Sequence, residues 1–130
     1  MQKSIHVLGF IMLCCTLSFS QKASKQSLTK GKLVFEQYCL TCHQADGSGV
    51  PNLNPPLIKT SFVLGDKKAL ATIVINGLSN IEVEGEKYSN PMPAFSFLSD
   101  EEIANVLTYV RNSFTNKASA ITEADVKASR

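Results

Sequence analysis

Cys39-Leu40-Thr41-Cys42-His43 is the stretch of this sequence that decides the fold. Two thiols separated by two residues can each form a thioether bond with one vinyl group of a haem, and a histidine that follows directly can ligate the iron. The Cys-x-x-Cys spacing alone also occurs in thioredoxin-like redox sites and in halves of zinc sites. The adjacent histidine favours another interpretation, in which Cys39 and Cys42 attach one haem c covalently and His43 binds its iron.

The first 20 residues have the layout of a secretory signal peptide. Lys3 gives a basic start, an apolar segment follows at 7–19, and Ser18 and Ser20 are the small residues that a cleavage site requires. The apolar segment is shorter than the roughly 20 residues that span a bilayer. We therefore expect residues 1–20 to be removed and the remaining chain to be exported to the periplasm.

Two alternatives would keep the exported chain tethered to the outer face of the inner membrane. The N-terminal segment can remain uncleaved as an anchor, or a lipid can be attached at Cys14 or Cys15. The residues before these two cysteines lack the small pair that usually precedes a lipidated cysteine. A membrane is expected as a partner only in these two cases.

Removal of the signal leaves one small, nearly neutral domain. The 13 Lys and Arg include Lys3, and the chain has 11 Asp and Glu, so no basic surface suited to nucleic acid is expected. Cys39, Cys42 and His43 are the only cysteines and histidine that remain. They are too few for a zinc site, and no strand precedes Cys39 as a thioredoxin-like site would need. A structural disulfide between the two thiols is the non-haem alternative.

The residues before the motif predict a helix that begins at Leu28, after a flexible lead-in at 21–27. Gly31, Phe35 and the two cysteines recur at helical spacing, so one face of this helix presents both thiols and His43 to the same side. A glycine inside a helix costs about 1 kcal/mol relative to alanine. We therefore expect Gly31 to permit close contact with another helix.

Two proline-containing segments are predicted to complete the cofactor site. Residues 46–57 are rich in Gly, Pro and Asn and predict a loop around the edge of the cofactor. The second ring nitrogen of His43 needs a fixed partner, and the carbonyl of Pro55 is the best candidate. Met92 lies between two prolines, where filling a core would be an unusual use for a methionine. Since no second histidine remains, Met92 is the predicted sixth ligand.

Local patterns predict a second helix and a hairpin. The second helix covers 67–76, where Asp66 is placed to cap its start and Gly77 to end it with a positive φ. Its apolar stripe is expected to join the core. Residues 81–88 alternate around a glycine and predict a small hairpin.

The last long helix has the clearest start in the chain. Ser99 and Glu102 have the spacing of a capping box, and the apolar stripe that follows extends to Phe114. Residues 117–130 are interpreted as a C-terminal tail, structural or partly disordered, with a short turn opened by Thr122.

Taken together, these residues resemble a small class I c-type cytochrome over 28–114. The resemblance is carried by the attachment motif together with Gly31, Phe35, Pro-Pro-Leu at 55–57, Met-Pro-Ala-Phe at 92–95, and Val106 with Tyr109. It implies an all-α cytochrome c fold for a domain at 28–116, in which three to four helices surround one covalently bound haem. It also implies that the first and last helices cross at the glycine.

The predicted cofactor-binding residues are Cys39, Cys42, His43, Pro55 and Met92, and the predicted iron ligands are His43 and Met92. An iron held by imidazole and thioether has no open position, so chemistry on a bound substrate is not expected. We expect an electron carrier rather than an enzyme, which passes single electrons through the haem edge by outer-sphere transfer. A haem enzyme or gas sensor with a labile sixth ligand is the rival function.

Redox proteins are the expected partners, namely a respiratory oxidase, reductase or dehydrogenase. Lys59, Lys67 and Lys68 are either a local docking patch or ordinary solvated lysines. The mature part holds few aromatic residues and no Trp, so a buried porphyrin would supply much of its apolar mass. We therefore expect the chain to fold poorly without haem.

Overall fold

The computed structural model describes residues 21–130, and the predicted signal peptide at 1–20 lies outside the described residues. The regular secondary structure of this part of the chain is helical apart from one hairpin. Three helices have ten residues or more and three have four or five, so the all-α prediction is confirmed. The elements in chain order are α1 (Lys25–Tyr38), α2 (Leu40–His43), α3 (Ser61–Leu64), α4 (Lys67–Asn76), β1 (Ile81–Val83), β2 (Glu86–Tyr88), α5 (Asp100–Arg111) and α6 (Glu123–Lys127).

The first helix begins earlier than the sequence predicted. Ser24 caps α1 by accepting a hydrogen bond from the Ser27 backbone at 3.0 Å, so residues 25–27 of the predicted lead-in are helical. The start at Leu28 was inferred from apolar periodicity, which polar residues at the exposed start of a helix do not show. The correct signal was the serine cap.

The helix that carries the attachment motif is interrupted once. α1 ends at Tyr38, and Cys39 leaves the regular helical path at φ −112° before α2 begins. The hydrogen bonds nevertheless continue, because the Cys39 amide donates to Phe35 and the His43 amide donates to Cys39. The motif therefore lies on a bent continuation of α1 rather than on one straight helix.

α1 crosses α5 in direct backbone contact at Gly31. A Cβ placed there would overlap the carbonyl oxygen of Asn105 and would lie 2.8 Å from Cβ of Tyr109. The ring of Phe35 packs beside the crossing, with its centroid 5.5 Å from that of Tyr109 and 5.4 Å from that of Phe114. The expected close contact at the glycine is confirmed.

α5 begins as predicted and ends earlier than predicted. The capping box of Ser99 and Glu102 is complete. The helix stops at Arg111 rather than continuing to Phe114, because Phe114 and Thr115 have φ values of 54° and 66° that no right-handed helix contains. Phe114 still packs on the crossing, from the turn that follows the helix.

The segment interpreted as a tail packs against α5. Ile121 and Val126 are buried in the main core. The hydroxyl of Thr108 donates to the Ile121 carbonyl at 3.1 Å and accepts from its amide at 2.9 Å. Thr122 and Asp125 form the capping box of α6, so the predicted turn is present. The last part of the chain therefore belongs to the core of the domain.

The predictions for the middle of the chain are confirmed. α4 covers Lys67–Asn76, with the Asp66 carboxylate accepting from the Ala69 amide at 2.7 Å and Gly77 at φ 76°. The hairpin is antiparallel and pairs Ile81 with Tyr88. α4 contacts both α5 and α6 and places one apolar face toward the candidate site.

Candidate cofactor site

A single apolar cleft is lined by all five residues that the sequence predicted to bind the cofactor: Cys39, Cys42, His43, Pro55 and Met92. The cleft and the solvent at its open side together span about 1210 Å³. Apolar side chains from α4 and α5 form its floor, and no Asp, Glu, Lys or Arg is among the lining residues. An apolar wall of this kind excludes water and lowers the local dielectric constant.

The two thiols lie at the edge of the cleft where α1 passes into α2. Cys39 is half-buried and Cys42 is exposed, and both are free cysteines. Burial, and secondarily the neighbouring Cys42, raises the pKa of the Cys39 thiol to about 11. A redox-active cysteine pair needs the opposite shift, because the thiolate is its nucleophile. The environment of Cys39 therefore argues against a thioredoxin-like site.

The imidazole of His43 is buried and held in one orientation. Its Nδ1 lies 3.0 Å from the carbonyl oxygen of Pro55, the acceptor that the sequence predicted. Burial lowers the pKa of the imidazole, against the smaller opposing effect of this hydrogen bond, so the neutral form is favoured. A neutral ring that donates from Nδ1 has its lone pair on Nε2, which is then the nitrogen able to bind a metal.

Gly49 allows the loop that carries Pro55 to close on His43. The glycine has φ 67°, and a Cβ there would lie 2.6 Å from the Pro55 carbonyl oxygen. Its amide donates to the His43 carbonyl at 3.1 Å, and the Leu57 amide donates to Gly47 at 2.8 Å. The glycines of this loop thus serve the orientation of the histidine.

Met92 is held by the end of α4. Its amide donates to the Leu78 carbonyl at 2.7 Å, and the Leu78 amide donates back at 3.0 Å. The Phe95 amide donates to the Val74 carbonyl at 2.9 Å. A Cβ on Gly77 would lie 2.6 Å from the Met92 carbonyl oxygen, so this approach requires glycine. The loop around the methionine is therefore fixed on both sides of the thioether.

The loop that carries Pro55 and the loop that carries Met92 are hydrogen-bonded to each other. The Ser89 and Asn90 amides donate to the carbonyls of Asn52 and Leu53, both at 3.1 Å. The Asn90 side chain also donates to that of Asn54 at 3.3 Å. The loop that fixes His43 through Pro55 and the loop that carries Met92 are thus one connected piece of backbone.

Asn116 is a positioning residue that the sequence interpretation missed. Its buried side chain accepts from the Lys59 amide at 2.7 Å and donates to the carbonyls of Leu57 and Val110 at 2.9 and 2.8 Å. It thereby ties the loop of Pro55 to α5. An asparagine just beyond a helix resembles an ordinary end signal, and no local pattern indicates partners more than fifty residues away.

These residues fit a covalently attached haem better than a bare metal ion. Within residues 21–130, no three His, Cys, Asp or Glu side chains are grouped as metal ligands. The cleft instead offers one imidazole nitrogen, one thioether and two thiols around a large apolar space. That donor set matches two thioether attachments and two axial ligands. If His43 and Met92 both held its iron, such a group would supply electron exchange and would leave no position for a substrate.

Comparison with known proteins gives a consistent result. The family described as Cytochrome c matches residues 28–114. Cytochrome c-552 of Thermus thermophilus is 39% identical over 85 residues, which are 62% of this chain and 64% of that protein. The gluconate 2-dehydrogenase cytochrome c subunit of Pantoea cypripedii is 34% identical over 104 residues, 77% of this chain and 24% of the subunit. Cytochrome c6 of Cyanidium caldarium is 29% identical over 110 residues, 85% of this chain and 93% of that protein. The chain thus spans less than two thirds of the first relative and about a quarter of the second.

Proposed function

This chain belongs to the cytochrome c family and accordingly holds one covalently bound haem c, and we propose that it is a monohaem electron carrier rather than an enzyme. Cys39 and Cys42 form the two thioether bonds. His43 and Met92 are the axial ligands, and Pro55 fixes the histidine. The predicted all-α cytochrome c fold agrees with the family match over 28–114.

One observation supports this function most strongly. The two thiols, the imidazole and the thioether line the same uncharged cleft, and the imidazole is oriented with its Nε2 free for a metal. When bound, the haem supplies a one-electron couple between ferric and ferrous iron. The neutral ligands His43 and Met92 and the apolar walls disfavour the additional positive charge of the ferric state, which raises the reduction potential. As the two protein ligands of the iron, these residues would leave no position for a substrate.

We propose that the partners are redox proteins and that the finer choice lies among a respiratory oxidase, reductase or dehydrogenase. Relatives named as cytochrome subunits of gluconate, alcohol and fructose dehydrogenases support the dehydrogenase alternative. We place the protein in the periplasm, by export through residues 1–20, with a membrane tether only if that segment is retained or lipidated. Between residues 21 and 130, no helix is long and apolar enough to cross a bilayer.

Substitution of Met92 tests the ligand assignment. Met92→Ala is expected to lower the reduction potential and to convert the iron from low spin to high spin, because the sixth position becomes open. The ferrous protein should then bind carbon monoxide. Met92→His is expected to stay low-spin and closed but to have a lower potential, since a second nitrogen ligand stabilises the ferric state. Leu53→Ala, at an exposed residue of the other loop, is the control.

A Met92→Ala protein with the wild-type potential and a low-spin spectrum would remove Met92 from the site. Rapid and complete binding of carbon monoxide by the wild-type protein at neutral pH would instead support the gas-sensor function. Potentiometric titration and visible spectra measure both results.

A further inference from the structure

Three segments that line the cleft carry no charged side chain. Residues 38–45, 47–58 and 88–99 contain no Asp, Glu, Lys or Arg, although 18% of the whole sequence is charged. Each segment contributes residues to the wall of the cleft, and several of their side chains are exposed. We refer to the surface formed by these three segments, which leaves out the exposed Asp46 between the first two, as the uncharged rim.

Phe97 is the most exposed large apolar side chain among the described residues, with 67% of its surface accessible. Its ring lies 5.6 Å from that of Tyr38 and 5.9 Å from that of Phe95, measured between centroids. Tyr38 and Phe95 both line the cleft. The aromatic contacts therefore lead from the cofactor site directly to an exposed ring on the uncharged rim.

The backbone around Phe97 is held in place by Arg130. The Arg130 guanidinium donates to the carbonyls of Ser96 and Leu98, at 3.1 and 2.6 Å, and pairs with the Asp100 carboxylate at 2.5 Å. The exposed ring is thus presented on fixed backbone, and the charge that fixes it is neutralised by Asp100. An apolar group that is already ordered loses less entropy on binding than one on a mobile loop.

We propose that the uncharged rim, centred on Phe97, is the docking surface for a redox protein whose own docking face is uncharged and apolar. This inference rests on the proposed electron-carrier function. A partner that brought charged groups to the rim would bury them without a counter-charge, which is costly. Aromatic anchors at the centre of a charge-depleted patch are typical of protein interfaces.

The lysines considered from the sequence do not form a competing surface at the cleft. Lys59, Lys67 and Lys68 are absent from its lining, and Lys67 is paired with Asp125 at 3.6 Å. The exposed Cys42 belongs to the uncharged rim and carries one haem attachment in the proposed function. A partner seated on the rim would consequently lie next to the covalent edge of the cofactor.

Protein-film voltammetry on gold electrodes coated with alkanethiols tests the inference with a defined surface. A methyl-terminated layer stands for the uncharged partner face, and carboxylate- and ammonium-terminated layers stand for charged faces. Haem-loaded wild-type protein is expected to adsorb and exchange electrons best on the methyl layer. Its electron-transfer rate there should be unchanged when ionic strength rises from about 0.01 to 1 M, which shortens the screening length from about 30 to 3 Å.

The matched variants are Phe97→Ser and Leu33→Ser. Leu33 is 62% exposed on α1 and does not line the cleft. Leu33→Ser therefore removes a comparable exposed apolar side chain from a surface away from the rim. Phe97→Ser should weaken adsorption on the methyl layer by about tenfold or more. This factor corresponds to the free energy lost when most of one phenylalanine ring is no longer buried. Leu33→Ser should behave as wild type. Unchanged visible spectra and melting temperatures will show that both variants remain folded.

Each other outcome overturns a stated part of the inference. A preference for a charged layer, or a rate that falls steeply with salt, would show electrostatic docking. A Phe97→Ser protein with wild-type adsorption would remove Phe97 from the surface. Self-association in sedimentation velocity, or binding to phosphatidylcholine vesicles, that is lost in Phe97→Ser would assign the rim to a second copy or to lipid. Absence of a reversible couple in a mediated solution titration would contradict the electron-carrier function itself, which the adsorption results do not test.

Discussion

The crossing of α1 and α5 and the cleft beside it bury their apolar side chains in different ways. At the crossing, Gly31 lets two helix backbones touch, and the rings of Phe35, Tyr109 and Phe114 pack on one another. Every large group there has a protein partner. The crossing is therefore a core that the chain completes by itself.

The cleft, in contrast, is not filled by side chains of the polypeptide. Leu70 and Val74 of α4 and Val106 of α5 face the same cavity, and Met92 lies on a loop anchored by backbone hydrogen bonds to Leu78. These α4 and α5 side chains are themselves buried, but the space that they border is open on one side, and a porphyrin that filled it would remove further apolar surface from water. The comparison shows that the polypeptide completes the crossing by itself, whereas the cleft leaves an apolar space for the cofactor.

The largest effect is expected from removing the attachment. A Cys39→Ala/Cys42→Ala chain has no covalent haem and should lose most of its free energy of unfolding, which is on the order of 5–15 kcal/mol for a domain. Amide protection should disappear first in α4 and the loop of Met92, and last at the α1–α5 crossing. Heteronuclear NMR with hydrogen exchange measures this order. A well-dispersed spectrum with uniform protection would show that the cleft does not depend on haem.

The second-largest effect is expected from a substitution at the crossing of α1 and α5. Gly31→Ala should destabilise the haem-loaded protein by about 3 kcal/mol, at the upper end of overpacking costs, because the new Cβ meets the backbone of Asn105. The reduction potential should stay unchanged, since the cleft is not altered. Gly85→Ala is the control: no atom lies within 4 Å of its Cβ position, so only the strain of φ 86° is added, about 1–2 kcal/mol. Equal losses from denaturant unfolding of the two variants would contradict close packing at the crossing.

Gly77→Ala is the corresponding change on the cleft side. Its φ of 76° and ψ of 179° lie in a region that only glycine occupies readily, at a cost of about 1–3 kcal/mol for other residues. The added Cβ also meets the Met92 carbonyl, so the loop should shift and part of the iron should become high-spin. Visible spectra and potentiometry distinguish this result from that of Gly31→Ala. A fully low-spin Gly77→Ala protein would show that α4 does not position the methionine.

The smallest effect concerns the start of α5. The Ser99 amide donates to the Glu102 carboxylate at 2.8 Å, and together with the Ser99 hydroxyl it lowers the pKa of Glu102. A lowered pKa means that the contribution is present at neutral pH and is lost as pH falls through the folded-state value. Glu102→Gln should cost about 0.5 kcal/mol at pH 7. The difference should vanish below the pKa of Glu102, as urea unfolding at several pH values will show, whereas a constant difference would argue against the carboxylate.

Much of this structure follows from local sequence. The hydrogen bond from His43 to Pro55, the bounds of α4 and the capping box at Ser99 were all predicted and are present. Each depends on residues close in the chain or on a chemical requirement of one side chain. The start of α1 was missed because polar residues near the Ser24 cap add no apolar periodicity, and the end of α5 was missed because the apolar spacing continues to Phe114 beyond the end of the helix.

The long-range contacts that position the two loops of the site and the last segment of the chain could not be predicted in this way. The backbone pairing of Met92 with Leu78 and the hydrogen bonds of Asn116 to Leu57 and Lys59 join residues distant in sequence. The burial of Ile121 and Val126 depends equally on how the last segment folds back on α5. A single sequence carries no local signal for such pairings.

The central claim is that a porphyrin is bonded to Cys39 and Cys42, and it can be tested directly on the protein as exported with a working haem-maturation system. Acidified-acetone extraction removes haem that is only coordinated, and a pyridine haemochrome spectrum of the precipitated polypeptide then counts what is covalently bound. We predict one haem c per chain remaining with the polypeptide. A colourless polypeptide, with any haem left in the extract, would contradict it.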